Sequence, residues 1–126
     1  MSVASFGDGK GTIELRGDNV VHLRWCPGLS IDEADARAAT AAVSETCCGG
    51  RYPLLVEMGG TSSLSRGART VFALPGPAAR IALLGASPVD RVIVNYFIGR
   101  QMPPCPTRFF TSADEALTWL KAPASQ

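Results

Sequence analysis

Between residues 12 and 25 apolar and polar side chains alternate. Ile13 and Leu15 are interleaved with Thr12, Glu14 and Arg16, and after Gly17-Asp18-Asn19 the alternation resumes with Val21, Leu23 and Trp25. Successive side chains of a strand point to opposite faces, so this pattern predicts a β-hairpin with one covered face. His22 and Arg24 fall on the other face, which places the hairpin where one side of the sheet is less fully covered. The glycine-rich residues before it carry no periodicity and read as a loose start.

Pro27 and Gly28 end the hairpin, and Ser30 followed by Glu33 has the spacing of a capping box, in which two side chains satisfy backbone N–H groups at a helix start. A helix is predicted from there to about Cys48, stopped by Gly49-Gly50, with Ile31, Ala34, Ala38 and Ala42 as its buried stripe. Two nearly continuous apolar runs, 54–58 and 81–84, predict strands covered on both faces. Between them a helix over 65–74 ends where Pro75-Gly76-Pro77 cannot continue it. Ser87, Pro88 and Asp90 supply an N-cap, a first-turn proline and an acid for a helix reaching Arg100. A short strand over 107–110 follows, and Ser112 with Glu115 caps a last helix whose inner face is Ala116, Leu117 and Leu120.

The resulting order is β-β-α-β-α-β-α-β-α. Repeated strand-helix units require right-handed crossovers and a mostly parallel sheet, with the hairpin adding an antiparallel strand. The expectation is a single α/β domain over 1–126, its core at about 11–122, built on a mostly parallel five-stranded sheet with about four helices.

Composition narrows the function classes. With 126 residues, 46% hydrophobic and 18% charged, the chain is of the ordinary globular kind and long enough to bury a core without staples. Twelve basic against eleven acidic residues give a formal charge of +1, which argues against nucleic acid as the main partner. Cys26, Cys47, Cys48 and Cys105 contain no CxxC pair and His22 stands apart from them, so neither a metal site nor another cofactor is expected. The neighbours Cys47 and Cys48 could bridge only with unusual backbone geometry, so free thiols and a cytoplasmic location are expected. Residues 1–11 lack an apolar signal region and no run approaches the ~18 residues of a spanning helix, so neither secretion nor a membrane span is expected.

This order of elements over about 11–122 resembles the SpoIIAA-like, or STAS-like, fold of anti-sigma factor antagonists. In that family an apolar strand ends near an acidic or amide residue, and a loop leads to Asp-Ser-Ser-Gly at a helix start, whose first Ser is phosphorylated by a partner kinase. Here Leu54-Leu55-Val56-Glu57-Met58 resembles the strand and Leu64-Ser65-Arg66-Gly67 the helix start, with Leu64 in place of the Asp and Arg66 in place of the second Ser. Ser65 then falls on the phosphoacceptor position. The ending from Phe109 to Leu120 is similar to the last strand and helix of small SpoIIAA-like proteins. The resemblance implies a diverged, non-catalytic regulatory module that binds a protein partner.

Two surfaces stand out as candidate sites. The stretch from Gly59 to Ser65 lies at the carboxyl end of a central strand, where open α/β sheets place their ligands. Arg66 in a first helical turn opposes the helix dipole at a cost of roughly a few tenths of a kcal/mol, a local conflict of the kind that marks sites. Thr61, Ser62, Ser63, Ser65, Arg66 and Arg69 are therefore candidate donors to a phosphate or a partner's carboxylate, and binding of a small anionic ligand or lipid there is the alternative function. The plainer account makes Ser65 an N-cap and leaves both arginines solvated.

The second surface is the helix over 89–100. Val89, Val92, Ile93, Tyr96 and Phe97 form its core stripe, while Val94 and Ile98 lie nearly opposite, ringed by Arg91 and Asn95. That extra stripe predicts a contact with another subunit, most simply a homodimer, or with another protein. Scattered surface hydrophobes, or cover by the C-terminal segment, account for it equally. Other motifs reduce to structure. Gly7 to Thr12 lacks the full phosphate-loop pattern and a preceding strand, Arg16-Gly17-Asp18 is a hairpin turn, and His22 has no nucleophile assigned to it.

Overall fold

The computed structural model describes residues 3–7, 9–26, 28, 30–58, 63–72, 76, 78–85 and 106–121. Along the chain these form β1 (Val3–Phe6), β2 (Gly11–Leu15), β3 (Val21–Trp25), β4 (Ser30–Ile31), α1 (Glu33–Cys47), β5 (Tyr52–Glu57), β6 (Ser63–Leu64), α2 (Arg66–Phe72), β7 (Ala78–Leu84), β8 (Thr107–Phe110) and α3 (Ala113–Lys121). The main sheet runs β1-β2-β3-β5-β7-β8, and β4 pairs with β6 in a separate two-stranded sheet. The first three strands are antiparallel neighbours; β3, β5, β7 and β8 are parallel.

The predicted hairpin is β2 and β3. Asn19 adopts the left-handed conformation at φ 65°, its N–H donates to the Arg16 carbonyl at 3.0 Å, and the Arg16 N–H donates to Val20 at 2.9 Å. Asp18 in this turn accepts from the Val20 N–H and pairs with Lys121 at the end of α3 at 2.8 Å. Burial works to raise the Asp18 pKa, but Lys121, Arg16 and the Val20 N–H outweigh it and hold the carboxyl below its ordinary value. The hairpin is thus tied to the last helix.

The sheet has six strands where five were expected, because the glycine-rich start forms β1. Gly7 and Gly9 take φ of 60° and 85°, conformations that glycine adopts without the steric cost of a Cβ, and the chain reverses into β2 there. A strand therefore does precede Gly7 to Thr12, but it leads through a hairpin turn into another strand rather than into a phosphate-binding helix.

Two further expectations are corrected at α1. The capping box is Asp32 with Asp35, not Ser30 with Glu33. Asp35 N–H donates to Asp32 Oδ1 at 2.9 Å, and Asp32 N–H to Asp35 Oδ2 at 3.1 Å. Ser30 is unavailable as a cap because it pairs with Ser63 in the β4–β6 ladder. The buried face is centred on Ala36, Ala39, Val43 and Cys47; of the expected stripe Ile31 is buried, Ala38 and Ala42 are half-buried against the edge of the core, and Ala34 is exposed. A helix with alanine at so many positions does not reveal its inner face through hydrophobicity. Val43 and Cys47 lie on that face, and near its start the inward Asp35 carboxylate takes the Lys10 ammonium at 2.9 and 3.0 Å.

Leu54 and Leu55, adjacent on β5, enter different cores, so the strand is covered on both faces as its apolar run predicts. On one face Ile13, Val21, Leu23, Trp25 and Leu54 pack against α1 and against Ala68 and Val71 of α2. On the other, Val20, Leu55, Ala82 and Phe110 pack against Ala116 and Leu120 of α3. Ser112 Oγ accepts the Glu115 N–H at 3.4 Å, so the predicted cap of α3 is in place. Among the described residues there are three helices, and the helix expected over 89–100 lies outside them. No helix among the described residues is long and apolar enough to cross a membrane. Cys26, Cys47 and Cys48 are free thiols; burial, with Cys48 adjacent, raises the Cys47 pKa.

Candidate functional site

The carboxyl end of the parallel strands is assembled from separate parts of the chain. β5 ends at Glu57, and the next N–H, of Met58, donates to the Leu84 carbonyl at 2.9 Å. β6 lies beside β4, and the Ser65 N–H donates to the Ile31 carbonyl at 2.9 Å. Ser65 Oγ then accepts the Ala68 N–H at 3.1 Å, so this hydroxyl is the N-cap of α2.

The glycine at the third position of Ser65-Arg66-Gly67 has a packing reason. A Cβ there would lie 2.7 Å from Glu33 Oε1 and 2.9 Å from Glu33 Cβ, because the first turns of α1 and α2 meet at this point. Glu33 is held by Arg37 at 2.8 Å. The packing of two helix starts and the β4–β6 pairing therefore present Ser65 and Arg66, both exposed, on fixed backbone.

Replacing Ser65 removes one cap bond. Ser65→Ala is expected to cost about 1 kcal/mol in urea denaturation and Ser65→Gly only a few tenths, roughly the usual sizes for an N-cap. Unchanged midpoints in both variants would contradict the capping role.

Of the predicted anion-binding set, Ser65 and Arg66 lie together at the surface. Ser63 is in β6 and Arg69 in α2, where only the backbone is described, and Thr61 and Ser62 lie outside the described residues. Arg91, Val94, Asn95 and Ile98 also lie outside them. Among the described residues no group of three or more His, Cys, Asp or Glu could hold a metal ion.

One cluster escaped sequence reasoning. His22 is only 9% exposed, more covered than its place on the less protected face implies, and its Nε2 lies 3.0 Å from Glu57 Oε1. The other Glu57 oxygen faces Arg24 Nε at 3.4 Å. The cause is register: β3 and β5 are parallel with Arg24 beside Glu57, a pairing of residues 33 positions apart that no local pattern reveals.

These features define an α/β protein with a SpoIIAA-like fold. An uncharacterised protein of the DUF3478 family from Shewanella loihica, described as having that fold, is similar over 95% of this chain and 96% of its own, at 19% identity and a TM-score of 0.57. The chain belongs to the family named Domain of unknown function (DUF7793), which matches residues 13–123. A protein with unknown function from an Arthrobacter species is 51% identical, covering 86% of this chain and 91% of its own, with a TM-score of 0.36. No curated protein matches the chain.

Proposed function

We propose that this chain is a non-catalytic interaction module of the SpoIIAA-like kind, acting in the bacterial cytoplasm by presenting the start of α2 to a protein partner. The observation that carries this reading is the presentation of Ser65. Its hydroxyl is exposed, its backbone is fixed to β4, and an exposed Arg66 follows it at the position where the resembled family carries a phosphoacceptor motif. A rigid, pre-ordered contact loses little conformational entropy on binding, which favours recognition by docking. A phosphate on Ser65 would add about −1.5 to −2 charges beside Arg66 and would change the surface that a partner meets. In this reading the helix expected over 89–100 is the fourth helix of the fold.

Affinity capture from the native cell tests it, using wild type, Ser65→Glu and Arg66→Glu, with Glu45→Lys near the far end of α1 as the control. The expected result is a protein retained by wild type and Glu45→Lys but lost with both variants at the start of α2. Identical captures by all four would contradict the reading.

A further inference from the structure

The β2–β3 side of the sheet face away from α1 carries a group of polar side chains that the Ser65 surface does not use. Strand register places Glu14 opposite His22, and Thr12 opposite Arg24, with Glu57 beside Arg24 on the neighbouring strand. Glu14, Arg16, Gly17, His22 and Arg24 line an open depression of about 380 Å³. Small-molecule sites span roughly 300–1,000 Å³, so its size admits a small ligand.

The charges in this depression are arranged, not merely adjacent. Arg24 Nε lies 3.4 Å from Glu57, and Arg16 Nε lies 3.4 Å from Asp18. Each guanidinium is steadied on its Nε side by a carboxylate of the same chain, which leaves its two terminal nitrogens as a fork suited to an incoming carboxylate. His22 is fixed by Glu57 and supplies a rigid, nearly buried wall. The Glu14 carboxylate, half-buried, has no hydrogen bond or ion pair among the described residues.

A simple anion in this space would be attracted by Arg16 and Arg24 but repelled by Glu14 and by the Glu57 and Asp18 carboxylates that already face those guanidinium groups, and a simple cation would meet the reverse. Only a ligand with both signs a few ångströms apart satisfies all three groups. We infer that the depression binds a small zwitterion of the amino-acid class, its carboxylate on the Arg24 fork and its ammonium on Glu14. This inference stands apart from the Ser65 surface and does not depend on it.

Amide chemical-shift titration of the whole chain at constant pH and ionic strength tests it. The probes are the proteinogenic L-amino acids, with acetate, inorganic phosphate and methylammonium as single-charge controls. At least one amino acid should give saturable shifts at about millimolar concentration or below, confined to β2, β3 and their turn, while the controls fail to saturate. Glu14→Gln and Arg24→Gln should each weaken that binding by about tenfold or more, the loss expected for one charge-assisted contact, and Arg66→Glu should leave it unchanged. Both altered side chains are on the sheet surface, and the dispersion of the same spectra shows whether each variant is folded. If no amino acid saturates, the group is an ordinary solvated sheet face and the inference is wrong. If acetate or phosphate saturates as tightly as any amino acid, the zwitterion is wrong, and shifts centred on the start of α2 would overturn the location.

Discussion

Lys10→Met is expected to destabilise the protein by about 3 kcal/mol at neutral pH, the larger of the two losses available at the Lys10–Asp35 pair. Asp35 is 6% exposed, and Lys10 brings its ammonium to both carboxylate oxygens at 2.9 and 3.0 Å. Methionine keeps most of the aliphatic stem but leaves the buried carboxylate supported by the Asp32 N–H alone. Asp35→Ala leaves instead a lysine that is 39% exposed and can turn to water, so about 2 kcal/mol is expected, including the lost half of the capping box. The double variant should therefore be no less stable than Lys10→Met alone. A loss under about 1 kcal/mol for Lys10→Met in urea denaturation would contradict this account.

The same pair sets an acid dependence whose sign follows from its charge. Burial acts to raise the Asp35 pKa, but the Lys10 ammonium and the Asp32 N–H prevail and hold the carboxyl below its ordinary 3.8. A group depressed on folding contributes stability that is fully present above its unfolded pKa and is lost as pH falls through the folded value. Wild-type stability should therefore decline below about pH 4, and this decline should shrink in Lys10→Met. Part of it remains, because Asp18 is depressed in the same direction by Lys121 and Arg16 despite its own burial.

Gly11→Ala is expected to cost about 2–3 kcal/mol, although it adds one methyl group to a sheet. Gly11 is paired with Phe6 on one side and Trp25 on the other. A Cβ at this position would lie 2.4 Å from Phe6 Cζ and 2.9 Å from the Arg24 carbonyl oxygen. The ring can swing away only by leaving its edge-on contact with Trp25, whose centroid is 5.1 Å distant at 86°, and the carbonyl can retreat only if β3 moves. Placing an aromatic ring over a strand glycine covers backbone that would otherwise be exposed, so the site is built for hydrogen at that position. Phe6→Ala in the same background should cost less than it does in wild type, since the clash has then been relieved. A Gly11→Ala midpoint close to wild type would show that the ring does not occupy this place.

The parts of the fold legible in the sequence are those encoded within a few residues of one another. Alternation from Thr12 to Trp25 marks β2 and β3, and Ser112 three residues before Glu115 marks the start of α3. Ser65 as a cap was legible for the same reason, as the bond it accepts comes from three residues ahead. β1 was hidden because the four residues before Gly7 are too few to show a period, and its evidence is Phe6 lying over Gly11. The face of α1 was hidden because its alanines are interchangeable by hydrophobicity, and the partner of its inward Asp35 is Lys10, 25 positions away. The association of Glu57 with His22 and Arg24 needed the parallel register of β3 and β5, which no local motif states.

Hydrogen–deuterium exchange of the chain with and without its captured partner tests whether a protein docks on the start of α2. New protection is expected at the backbone amides from Ser63 to Ala68 and at the adjoining first turn of α1. Protection confined to β2 and β3, or to the far end of α1 around Glu45, with exchange at Ser65 and Arg66 unchanged, would contradict it.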